Sequence, residues 1–113
     1  MSTLSLTDAP VAVPAETLEL HVKRLLATWR LETAVISSST VLNAHPAYRE
    51  LIAIGTPALP YIFRDMEKTQ DGHLSRALVE ITGARPVPAE ERGQIVAIAK
   101  RWLNWAQENG YRW

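Results

Sequence analysis

A chain of 113 residues is long enough for one domain with its own apolar core, and without cysteine that core forgoes disulfides, thiolate nucleophiles and cysteine metal ligands. Twelve basic residues balance twelve acidic ones, which argues against a strong nonspecific polyanion binder, because such affinity comes from neutralising phosphates with Lys and Arg. The opening MSTLSLTDAPVAVPAE lacks the basic start and unbroken apolar run of a secretion signal, and no later segment has the apolar length to span a bilayer, so a cytoplasmic protein is expected.

Residues 1–14 carry Ser, Thr, Asp and two prolines among scattered apolar residues, and read as a flexible or extended tail. A single helical domain, 15–113, follows. Leu18, Val22, Leu25, Leu26 and Trp29 recur at the spacing of one helical face, with Glu16, Glu19, Lys23, Arg24 and Arg30 on the other side. This first helix should fray in the hydroxyl run 37–40, because Ser and Thr side chains compete for backbone hydrogen bonds. Residues 41–45 allow at most one turn of helix, since His45 precedes a proline and is driven towards extended geometry.

Pro46 opens a second helix, with Tyr48, Leu51 and Ile52 on its apolar face and Gly55 at its end. Thr56 is the expected cap of a third, with Pro57 and Pro60 in its first turn and Leu59, Ile62, Phe63 and Met66 as its stripe. Asp71 or Gly72 restarts the chain, Leu74, Ala77, Leu78 and Ile81 form the next stripe, and Gly83 is the expected left-handed stop. The last helix is expected over 88–108, with Ile95, Ile98, Ala99, Trp102 and Ala106 on its buried face, widened by Val96, Leu103 and Trp105. No alternating strand pattern survives. The fold class is therefore all-α, a compact bundle of about five helices.

The run Ile54, Gly55, Ala58, Pro60, Ile62 resembles the second helix of a HEAT-type repeat, and 73–83 resembles the first helix of the next, with Thr82 inserted before the glycine. The combination of HPAYRELIAIG, LVEITGARP and RWLNWAQENGY is also similar to a small group of uncharacterised bacterial proteins, over roughly two-thirds of the chain. The resemblance implies stacked helical hairpins with a right-handed superhelical tendency, as in HEAT and armadillo proteins. It implies no activity. One complete hairpin is too few for a true solenoid, so a compact HEAT-like bundle, capped by the first and last helices, is the form expected.

Catalytic and metal chemistry find little footing. His21, His45 and His73 lie on three separate elements without an i,i+4 partner, and no metal or cofactor site is expected. Asp71 and His73 set a carboxylate beside an imidazole, but Asp71 stands where a helix cap belongs. The serines at 37–39 have no local histidine and acid to activate them. Glu90 and Glu91, adjacent on a helix, point about 100° apart and cannot converge on one bond. They suit a helix start instead.

Binding is the better reading. Arg64, Lys68, Arg76 and Arg85 would form a basic stripe if the two middle helices packed antiparallel, although Asp65, Glu67, Asp71 and Glu80 interleave with them. Trp102, Trp105, Tyr111 and Trp113 gather four large rings near the C-terminus beside Arg101 and Arg112, the residue types that dominate interaction hot spots. Trp102 suits the core, while Tyr111 and Trp113 either close over the bundle or stand exposed. The expected function is a nonenzymatic protein-interaction module, the neutralising or scaffolding partner of a neighbouring protein, with self-association as a further option. The candidate partner-binding residues are Arg64, Lys68, Arg76, Arg101, Trp105, Tyr111, Arg112 and Trp113. The alternative is a nucleic-acid-binding regulator using Arg64, Lys68, Arg76, Lys100 and Arg101.

Overall fold

Proline and glycine mark several of the helix boundaries, with Pro14 and Pro46 each opening a helix and Gly55 and Gly83 each ending one. The computed structural model describes residues 14–113, with side chains from Thr17 onward, so the expectation of a flexible or extended tail falls almost wholly outside the described residues. The described residues form six α-helices and three 3-10 turns, with no strand among them. Helix α1 spans Pro14–Glu32 and begins one residue before the expected boundary, as proline's fixed φ suits a first turn. It ends at Thr33, whose amide and hydroxyl both turn back to the Trp29 carbonyl. Helix α2, Ser39–Ala44, is a sixth helix where a single turn at most was expected.

His45 is extended before Pro46, and its ring accepts the Ala47 N–H at 3.0 Å, capping α3, Pro46–Ile54. Gly55 then adopts φ 78°, which L side chains rarely reach. Thr56 is not the cap that was expected. The segment Thr56–Ala58 is a 3-10 turn without a side-chain cap, and α4 follows at Leu59–Thr69. The reason is Pro60: in one continuous α-helix its ring would press on the carbonyl four residues back, and the tighter turn avoids that contact.

Asp71 takes the expected capping role, accepting the His73 N–H at 2.9 Å ahead of the 3-10 turn Gly72–Leu74 and helix α5, Ser75–Thr82. Gly83 ends α5 in the left-handed conformation, φ 76°. The last helix differs most from expectation. It begins at Ile95 rather than residue 88, because Arg92 is extended and Gly93 sits at φ 89°, leaving Ala89–Glu91 as an isolated 3-10 turn before α6, Ile95–Glu108.

Helix α1 packs on α3 and α4, α3 on α5, and α4 on α6. The stripes read from the sequence meet in one core, with Val22, Leu26, Trp29, Tyr48, Leu51, Leu59, Ile62, Phe63, Met66, Leu74, Ala77, Leu78, Ile98, Ala99, Trp102 and Ala106 all buried. Ile81 is only half-buried, and Val96 is exposed.

Three side chains supply polar links inside this core. The Tyr48 hydroxyl donates to the His73 carbonyl at 2.9 Å and accepts the Ala77 N–H at 3.0 Å, and burial drives its pKa far above that of an ordinary phenol. Trp29 donates to the Leu42 carbonyl at 3.0 Å, and Trp102 to the Ser75 hydroxyl at 2.8 Å.

Gly72 is glycine for want of room. A Cβ there would overlap the Ile95 carbonyl oxygen and come within 2.8 Å of the Ile98 Cβ, atoms that belong to a helix backbone and a buried side chain. Gly72→Ala is expected to cost about 1 to 3 kcal/mol of stability, the usual range for overpacking, by forcing the turn away from α6. Urea denaturation checks this; a loss below about 0.5 kcal/mol, the level of an inert surface change, would show that the contact gives freely.

Candidate functional site

A groove of about 680 Å³ is built from segments far apart in the sequence. One wall comes from Ser37, Ser39, Leu42 and Asn43, at the approach to α2 and along it. The opposite wall is the non-helical run from Arg85 to Gly93. Between them lie Gly72, His73, Ser75, Arg76 and Val79 from the start of α5, and Ile95, Ile98 and Trp102 from α6. The opening follows from local chemistry. Gly83 ends α5, Pro88 holds extended backbone at φ −69°, ψ 153°, and Gly93 turns the chain into α6, so this stretch stands away from α2.

The floor is apolar. Leu42, Ile98 and Trp102 are buried beneath it, and Val79, Val87 and Ile95 show part of their surface. The rim carries the guanidinium groups of Arg76, Arg85 and Arg92, all exposed as is His73, and no Asp or Glu lines the groove among the described residues. Arg76 is engaged, its Nε donating at 3.2 Å to Glu80 Oε2, an oxygen that also receives Arg49 Nη1. The Arg49 hydrogen bond, helped by that of Arg76, holds the Glu80 carboxyl below its usual range. The side chains of Arg85 and Arg92 make no hydrogen bond or ion pair among the described residues.

Behind His73 lies a charge knot. Arg30 of α1 clamps Asp65 of α4 with two hydrogen bonds of 2.8 and 2.7 Å, and reaches Asp71 Oδ2 at 3.0 Å. The other Asp71 oxygen lies 2.8 Å from His73 Nδ1. Burial pushes the Asp71 carboxyl upward, but the His73 N–H and the Arg30 guanidinium together outweigh it and hold the group below its usual range. A carboxylate only accepts, so Nδ1 carries a proton. Asp71 and His73 are thus together, as their spacing suggested. No hydroxyl hydrogen-bonds to that imidazole among the described residues, and Ser75 Oγ accepts the Trp102 N–H.

The residues singled out in the sequence divide among several places. Arg64 and Lys68 flank a smaller cleft of about 340 Å³ between α1 and α4, whereas Arg76 opens on the main groove, so they do not share one stripe. Arg64 pairs with Glu19 at 3.2 Å, and Arg101 grips Glu91 with bonds of 2.9 and 2.7 Å. The aromatic tail closes over the bundle. Tyr111 stacks on Trp105 with ring centres 5.6 Å apart and also meets Phe63, which Trp113 contacts in turn at 5.4 Å. Trp113 Nε1 donates to Glu67 at 3.1 Å, while Arg112 stays exposed at the lip of a shallow hollow. Trp105 packs edge-on against the buried Trp102.

Arg92, Val87 and Ile95 were not candidates from the sequence. The available signal was Arg85-Pro-Val-Pro, two prolines keeping a stretch extended next to a cation, with Arg92-Gly93 closing it. Assigning 88–108 to one helix concealed it. Among the described residues, no cluster of His, Asp and Glu could hold a metal ion, and no helix is long and apolar enough to cross a membrane. Compared with protein-family models, curated proteins and solved structures, the chain gives no significant match.

Proposed function

We propose that this chain is a nonenzymatic protein-interaction module, HEAT-like in the way its helices stack, which serves in the cytoplasm as the neutralising or scaffolding partner of a neighbouring protein. The observation that carries this reading is the groove between α2, α5 and α6, with its apolar floor open to a ligand and its walls held by a rigid core. Support for HEAT-like stacking comes from the pairing of α3 with α5 and of α4 with α6, which sets the first helix of one hairpin on the first of the next, and second on second.

Affinity capture from the native host, with the wild type beside Val87→Gln, tests the reading. Val87 lines the groove from a segment between α5 and α6 and is only partly buried at the edge of the core, so helical circular dichroism separates lost binding from lost folding. The expected result is a partner retained by the wild type and lost from the variant, with the helical circular dichroism unchanged. A wild-type chain that emerges alone and monodisperse, or a partner held equally by both, overturns it.

The nucleic-acid reading has thinner support. Of its five cations, Arg64, Arg76 and Arg101 are already paired with Glu19, Glu80 and Glu91. Such binding would weaken steeply with added salt. No shift of any nucleic acid at low salt would end it.

A further inference from the structure

We infer that the groove takes an extended, acidic segment of a partner protein, its aliphatic side chains on Val79, Val87 and Ile95 and its carboxylates on Arg85 and Arg92; this rests on the protein-binding reading above. Charge segregation carries the inference. The whole chain is neutral, with twelve bases and twelve acids, yet no carboxylate lines this groove among the described residues. Of the nearby acids, Asp71 is taken by Arg30 and His73, Glu80 by Arg49 and Arg76, and Glu91 by Arg101, while Glu90 is exposed on the same segment but does not line the groove. Two guanidinium groups remain uncommitted on one wall, each able to hold a carboxylate through two parallel N–H donors.

The same geometry argues against a nucleic-acid strand. Bases bind single-strand grooves by stacking on open aromatic faces, and of the two aromatic rings lining this groove among the described residues, Trp102 is fully buried beneath it with its N–H on Ser75, and the smaller His73 imidazole is tied to Asp71. The exposed floor is aliphatic, which suits Leu, Ile or Val side chains. Pro86 and Pro88 keep their wall from collapsing into the opening, so a segment entering it displaces water without first unfolding that stretch.

Selection of a displayed library of random dodecapeptides on the folded protein tests this, followed by affinities for Arg85→Ala, Arg92→Ala and Val87→Gln. The expected peptides combine acidic and aliphatic residues. Their binding should weaken about tenfold in each arginine variant, the equivalent of one charge-assisted hydrogen bond, and should also fall in Val87→Gln. Peptides without an acidic preference, or sensitive to Val87→Gln but not to the arginine variants, overturn this inference and leave the groove reading standing. No enrichment, or binding indifferent to all three substitutions, overturns both. An oligouridylate that displaces the peptides from the groove also overturns it, in favour of a polyanion site.

Discussion

Replacing Ile62 or Leu78 with Ala is expected to lower the unfolding free energy by about 2 to 5 kcal/mol, because each removes methyl and methylene groups from a core that can relax only in part. Both side chains are fully buried, Ile62 at the centre of α4 and Leu78 at the centre of α5. They belong to one continuous cluster, so the cavity left by either has no route to solvent or flexible surface. Losses of this size are a large part of a small domain's margin. Chemical denaturation with a coincident fluorescence and circular dichroism transition measures them. Values under about 1 kcal/mol would mean that the sites repack freely, contrary to a close-packed interior.

Arg30→Met is expected to cost about 2 to 3 kcal/mol near neutral pH, discounted from the cost of breaking a fully buried pair because the guanidinium is partly solvated. The methionine keeps the length of the side chain but leaves Asp65 and Asp71 facing one another without a cation. Their side chains are only 20% and 17% exposed, so water replaces the lost bonds poorly. The effect depends on pH. In the folded wild type the Asp71 carboxyl is held below its usual range, so the stability it lends is present above the unfolded carboxylate pKa and is lost as pH falls through the folded one. The gap between wild type and variant should therefore narrow from neutral pH down to about pH 3, below the usual aspartate range. Denaturation at both pH values decides it. A gap that stayed constant would show that Arg30 contributes through the packing of its stem alone.

Much of the architecture was legible because it is written in local terms. The stripe from Leu59 to Met66, the cap at Asp71 and the left-handed stop at Gly83 each rest on residues within two turns of one another, and each is present. Two local readings failed where local signals competed. Pro88 resembles a helix start, with Glu90 and Glu91 behind it, but Gly93 at φ 89° breaks the path before α6 can join. Thr56 resembles a cap, but Pro60 forces a tighter turn first.

The groove was less legible for a different reason. Its walls come from residues 37–43 and 85–93, and whether such segments face each other depends on how α2 and α6 dock, which no periodicity encodes. The aromatic tail poses the same problem. Tyr111 and Trp113 lie down on the bundle because Phe63 and Glu67 of α4 are placed to meet them.

Tyr48 shows how far this dependence reaches. Helix α5 has eight residues, too few to persist alone in water, and one of its unpaired N-terminal amides, that of Ala77, is met by a hydroxyl 29 positions earlier in the chain. Excised as a peptide, the segment would lack that cap and the apolar neighbours that α3 supplies. At this place secondary structure leans on tertiary structure, since α5 draws one of its N-terminal caps and part of its apolar surroundings from α3.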